Sequence, residues 1–138
     1  MARRVEPNFD KRLIGVWSRD CLNAPRTLTD TRILFKKDFT GRYETWHHGL
    51  SEVITFNWSP PAADRVTMAG IEYMFREPPD VRREPCDWHF EAVPYSIAVE
   101  LMADGQEAHV LKLRITPQRI DAYALMSADM SPFEHPQF

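Results

Sequence analysis

The feature that most constrains this chain is an alternation of apolar and polar residues, period two, in one short run after another. Successive side chains on a β-strand point to opposite faces, so each run describes a strand with one dry and one wet face. Ile33 and Phe35 alternate with Arg32 and Lys36, Phe56 and Trp58 with Thr55 and Asn57, and Ile71, Tyr73 and Phe75 with Glu72 and Arg76. Trp88 and Phe90 alternate with Asp87, His89 and Glu91. The last third continues through Tyr95, Ile97, Val99 and Leu101, then His109, Leu111, Leu113 and Ile115, then Ile120, Ala122 and Ala124.

Turn signals separate the runs. "KDFTGR" (37–42), "HHGL" (47–50), "SPPAAD" (59–64), "MAGI" (68–71) and "ADGQ" (103–106) each lie between two alternating segments, as hairpins require. Gly41, Gly49, Gly70 and Gly105 fall in these segments and are predicted turn glycines, with Gly15 the exception. Eight to ten short strands result, with two longer connections near 21–30 and 77–86. A meander without a long helical stretch closes most readily into a single antiparallel up-and-down β-barrel, because closure removes exposed edges. A sandwich is the other all-β architecture. The barrel is expected to span 1–126, followed by a C-terminal arm over 127–138 that Phe133 and Phe138 are placed to pin down. The opening "EPNFDKRLIG" has room for one helical turn over the barrel end.

Charge and composition exclude several classes. The net charge is −3 and both signs are interspersed, so nothing forms an electrostatic footprint for nucleic acid. The pairs Arg3-Arg4 and Arg82-Arg83 have Glu6 and Glu84 close by. No run approaches the roughly 18 apolar residues of a membrane span. "MARRVEPNFDKR" puts charges and a proline where a signal peptide has an apolar core, which leads to the expectation of a cytoplasmic protein. Cys21 and Cys86 suit reduced thiols there, a disulfide between them being the other option.

The stretch "LIGVWSRD" (13–20) places Gly15-x-Trp17 on a first strand near the N-terminus. Together with "ILFKKDFTGRYETW" (33–46) and "ITFNW" (54–58), it resembles the Gly-x-Trp signature and following strands of the lipocalins and the wider calycin group. The resemblance implies a barrel whose closed end is sealed by Trp17, with Gly15 allowing a close backbone approach. It also implies a basic side chain from a late strand lying over the indole, Arg119 first and Arg114 second, where cation–π attraction is worth about 1 kcal/mol. An intracellular lipocalin-like or fatty-acid-binding-like barrel is the form it suggests.

Three groups of residues are candidates for chemistry. In "ETWHHG", Glu44, Trp46 and His48 share one strand face and Tyr43, Thr45 and His47 the other, so one histidine enters the barrel. An inward histidine beside a carboxylate makes a general acid–base pair at neutral pH, and Glu44 with His48 is the candidate pair. The plainer reading is a hydrogen-bonded histidine near a turn. In "CDWHFE", Asp87, His89 and Glu91 lie opposite the apolar Trp88 and Phe90, so alternation turns the polar trio to solvent. Cys86 and His89 have opposite parity and no second ligand pair has zinc-site spacing, so neither a metal nor a cofactor is expected.

The third group is a ring-lined interior. Phe35, Trp46, Phe56, Trp58, Tyr73, Phe75, Trp88, Phe90 and Tyr95 are the predicted lining, either packed solid or leaving room for one small ligand. No Gly-x-Ser-x-Gly elbow, Gly-rich phosphate loop or His-Glu-x-x-His occurs. The leading expectation is therefore a non-enzymatic barrel that binds a small hydrophobic molecule. A cyclase or isomerase drawing on Glu44, His47, His48, Tyr73, Tyr95 and Glu100 is the enzymatic alternative. A third is an inhibitor- or immunity-type interaction module with a filled barrel, using its outer face or the loop "EPPDVRREPCD" (77–87). A homodimer is among the partners the sequence allows.

Overall fold

The computed structural model describes residues 10–22, 29–102 and 104–135. Nine strands follow in chain order: β1 (Gly15–Ser18), β2 (Thr29–Phe35), β3 (Thr40–His47), β4 (Leu50–Ser59), β5 (Arg65–Glu77), β6 (Asp80–Pro85), β7 (His89–Leu101), β8 (Glu107–Thr116) and β9 (Arg119–Ser127). Neighbours pair antiparallel from β1 to β5, then β5 with β7, β7 with β8, β8 with β9, and β9 back to β1. The result is the expected closed up-and-down barrel, with eight strands in its wall and β6 outside the count. One row of paired residues, Leu125, Trp17, Ile33, Tyr43, Ile54, Tyr73 and Glu84, crosses from β9 round to β6.

The segment 77–86, expected as a long connection, is instead a tight hairpin. Residues 72–77 of β5 pair with 85–80 of β6, while residues 65–69 pair with 94–89 of β7. The break between these two partners is bridged by Cys86 N–H donating to Ile71 O (3.1 Å) and Gly70 N–H donating to Trp88 O (2.5 Å). β6 and the first half of β7 thus act as one interrupted strand. The physical reason is the length of β5, whose backbone groups need a partner along all 13 residues.

At the barrel end where β1 begins, Trp17 has partners other than the basic side chain expected over its indole. Trp17 is fully buried and its indole Nε1 donates to Leu13 O at 2.9 Å. Leu13 ends a 3-10 turn, Lys11–Leu13, which is the predicted turn over the barrel end; Asp10 caps it by accepting from Arg12 N–H. Trp58 closes the same end, its Nε1 donating to Lys36 O and Thr40 O at 3.1 Å each. At Gly15 (φ 151°) a Cβ would stand 2.8 Å from Ser127 O, so β1 and β9 approach closely there.

Arg119 is not over this indole. Trp17 pairs with Leu125 on β9, and Arg119 lies roughly 20 Å further along that strand, at the opposite end of the barrel. Arg114 also points elsewhere, donating to Pro117 O. Gly41 and Gly70 prove to be strand glycines rather than turn glycines. A Cβ at Gly41 would meet the Phe56 ring at 2.5 Å, and one at Gly70 would meet Trp88 O at 2.9 Å.

The outer surface carries a second, smaller cluster in which Trp46 packs on Leu50, Val53 and Met74. Beside it, Arg42 and Glu44 form a buried ion pair (3.1 Å). The C-terminal segment starts one residue later than expected, since β9 includes Ser127. It crosses this face: Arg42 donates to the carbonyls of Phe133 and Glu134, and Lys36 pairs with Glu134 at 3.2 Å. Phe138 lies outside the described residues. Cys21 and Cys86 are free thiols.

Candidate functional site

The barrel interior is not filled throughout. Phe35, Phe56 and Trp58 pack edge to face at 5.6–5.8 Å and occupy the closed half. Towards the other end lies a cavity of about 120 Å³, lined by the apolar Ile33, Met68, Leu113, Ile115, Trp88 and Phe90 and by the polar Tyr43, Tyr123, Asp121 and Arg119. It borders a seam in the wall. The β7–β8 ladder runs only from Tyr95 to Leu101, so Trp88 and Phe90 line the cavity opposite Ile115 and Arg119 above its last rung.

The polar part of the lining comes from β9, with Arg19, which follows β1, as a further partner of Asp121. Asp121 pairs with Leu113 and Tyr123 with Leu111, so both share the inward face of β9 with core residues of β8. Asp121 is 8% exposed, and a carboxylate so far out of water needs cationic partners. Arg119 supplies one, its Nε and Nη2 donating to the two carboxylate oxygens at 3.1 and 3.0 Å, the fork geometry that suits a carboxylate. Arg19 supplies the other at 3.5 Å, its own backbone N–H held by Thr31 O. The Arg19 guanidinium also lies over the Tyr123 ring, 5.5 Å from its centre.

Arg119 is 58% exposed, so its guanidinium reaches solvent as well as the cavity. The Tyr123 phenol is held protonated: burial first, then Tyr43 and Asp121, push its pKa well above the ordinary value, with Arg19 opposing. The site therefore offers apolar walls about one ring wide, a neutral phenol and a cationic rim. Such an arrangement can take an apolar body with a polar, preferably anionic, end.

The residues expected at a site are distributed as follows. Of the predicted lining, Trp88 and Phe90 reach the cavity. Tyr95 is inward but belongs to the closed end, its hydroxyl 3.5 Å from Asp10, with burial first raising its pKa to about 12. Tyr73 and Phe75 stack at 5.1 Å on the β5–β6 hairpin, with Arg82 over Phe75. Trp46 is on the outer face with Arg32 above it at 4.3 Å, because β3 turns Tyr43 inward and the opposite parity out.

Glu44 shares that outer face. It is buried but accepts from Arg42 Nε and Trp46 Nε1, both at 3.1 Å. His48 sits in the β3–β4 turn at φ 53°, its ring against His47 at 4.6 Å. The expected acid–base pair is therefore not assembled in the cavity. Glu100 pairs with Lys112 on an exposed hairpin, and His89 pairs with Glu91 at the surface. Among the described residues no group of three or more His, Cys, Asp or Glu is placed to hold a metal ion.

Arg19, Asp121, Tyr123 and Tyr43 were not anticipated. "RIDAYAL" alternates in both registers, and alternation alone offers Ile120, Ala122 and Ala124 as the dry face. The signal that decides between them is apolar area: Tyr123 and Leu125 together outweigh one isoleucine and two alanines, and Ile120 proves 51% exposed. No protein-family model, curated protein or solved structure matches the chain. The likeness to lipocalins thus stands on the Gly15-x-Trp17 strand and the eight-stranded closed barrel alone.

Proposed function

We propose that the chain is a lipocalin-like binding barrel, non-enzymatic, that takes one small and largely apolar molecule into the interior cavity with its anionic end at Arg119. The observation that carries this reading is an apolar cavity that is also lined by Arg119, a guanidinium oriented by Asp121. Size narrows the class. Pockets for drug-sized ligands run to roughly 300–1,000 Å³, whereas an engineered cavity of about 150 Å³ takes benzene. A cavity of about 120 Å³ suits a single ring or a short branched chain.

Magnitudes explain why the rim matters. Burying about 120–150 Å² of apolar ligand surface gains roughly 3–4 kcal/mol, which alone corresponds to millimolar affinity. A charge-assisted hydrogen bond adds about 1.5–3 kcal/mol and brings binding towards the micromolar range. The test is a titration of tryptophan fluorescence, which Trp88 reports from the cavity wall, with small aryl and branched alkyl carboxylates and with their amides. Saturable quenching by the carboxylates, abolished in Leu113→Trp where the cavity is filled, is the expected result. A panel that shifts neither emission nor melting temperature sinks the proposal.

A further inference from the structure

We propose that two copies of this chain pair edge to edge through residues 96–101 of β7. This strand changes partner half-way: residues 89–94 lie along β5, residues 95–101 along β8. Beyond the pair Arg65↔Pro94, no strand among the described residues covers the side of β7 that faces away from β8. Tyr95 N–H donates to Asp64 O (3.0 Å), so the backbone of Tyr95 points away from β8. By the two-residue period, the N–H and C=O groups of Ile97, Val99 and Leu101 point the same way.

The side chains on this edge match its backbone. The face that carries Tyr95 and Ile97 onto the core runs out beyond it, leaving Val99 54% and Leu101 72% exposed. Sheet edges left to water are normally guarded by charges, prolines or bulges. β6 shows such a guard, since every residue of its sequence DVRREP is exposed and four of the six are charged. The segment SIAVEL (96–101) has one charge, Glu100, which Lys112 holds at 3.4 Å. One edge is defended against pairing and the other is built for it.

The occupant that fits is a second copy. Antiparallel self-pairing about a two-fold axis at Val99 sets Ile97 opposite Leu101, Ala98 opposite Glu100 and Val99 opposite its own copy. Apolar residues then meet apolar ones, and Glu100 never faces Glu100. The outward backbone groups of residues 97, 99 and 101 all find partners. Such an interface is isologous and closes at two subunits, giving one sheet that runs β8–β7 of one protomer into β7–β8 of its partner.

The experiment is sedimentation equilibrium of the whole chain over 1–200 µM. The wild type is expected at twice its monomer mass of 16.1 kDa. Val99→Lys, which sets two ammonium groups against each other at the axis, should weaken the dimer about a hundredfold. Leu101→Lys should act in the same direction, and far-UV circular dichroism shows whether each variant keeps the barrel. Val99→Cys, with Cys21 and Cys86 replaced by serine, should yield a covalent dimer on mild oxidation, because paired strands bring Cα atoms to about 4.5–5.5 Å, within disulfide reach. A wild type that stays monomeric at 200 µM overturns the proposal and leaves the edge to a strand from another protein. A dimer unmoved by both lysine variants overturns it as well.

Discussion

The two ends of the barrel satisfy their buried polar atoms in opposite ways. At the closed end the donors are indoles and the acceptors are backbone carbonyls: Trp17 to Leu13 O, Trp58 to Lys36 O and Thr40 O. These indole bonds are neutral and lock the rings into the packing, and the one carboxylate at this end, Asp10, caps the 3-10 turn and pairs with Arg12. At the open end the groups are ions, with Asp121 between Arg19 and Arg119 and the partly exposed Arg119 guanidinium lining a cavity. A saturated neutral network specifies a structure. A cluster with excess charge beside empty apolar volume keeps capacity for a further partner.

The largest effect that tests this contrast is on stability. Trp17→Ala should cost about 3–5 kcal/mol, the range for removing a fully buried aromatic side chain, and should leave Leu13 O without its donor. Arg119→Ala, at a side chain 58% exposed, should cost about 1 kcal/mol or less. Urea denaturation of the two variants measures both. A second closed-end substitution has a different cause: Gly41→Ala drives a methyl into Leu34 O and the Phe56 ring, and overpacking of this kind costs about 1–3 kcal/mol. Equal losses at Trp17 and Arg119 would erase the distinction between the ends.

Next in size is an effect on binding. Arg119→Ala should weaken a small aryl carboxylate about tenfold while leaving its neutral amide unchanged, read from the same fluorescence titration. Asp121→Asn sharpens the point, because it removes the group that orients both guanidiniums but adds to the positive charge of the rim. Affinity for the carboxylate should change less than in Arg119→Ala, and the dependence on salt should steepen. Parallel loss for acid and amide would assign Arg119 to structure.

The closed end was legible in the sequence and the open end was not, for a reason that lies in register. Where a strand has bulky residues of one parity, as in Ile33 and Phe35 or Leu111 and Leu113, alternation identifies the inward face directly. β9 mixes Ile120 with Ala122 and Ala124 on one parity, and Asp121 with Tyr123 and Leu125 on the other, and the polar Asp121 hides the inward one. On β3 the outward parity is itself buried, by the cluster of Leu50, Val53 and Met74 and by the bonds of Arg42 to the C-terminal segment, so Trp46 and Glu44 look like interior residues. A bulge between Thr55 and Phe56 shifts Ile71 out of phase, and it ends 48% exposed. Strand alternation reports burial, and it cannot distinguish burial inside a barrel from burial beneath a segment laid on its outside.

The smallest predicted effect concerns pH and returns to the closed end. Burial and the nearby carboxylates of Asp10 and Asp64 raise the Tyr95 phenol to about 12, and burial with Glu52 raises Tyr73 to about 12. Below pH 10 these phenols keep their protons in the folded and the unfolded chain, so they add no pH dependence. Above pH 10 the unfolded chain releases protons that the folded chain retains. The unfolded state then binds fewer protons, so stability falls with rising pH until about pH 12. Urea midpoints measured between pH 9 and pH 11.5 should decline, and Tyr95→Phe should make the decline shallower without abolishing the shares due to Tyr73 and Tyr123. An unchanged slope in Tyr95→Phe would mean that its hydroxyl is solvated, and that the seal made by Asp10, the 3-10 turn and Tyr95 admits water.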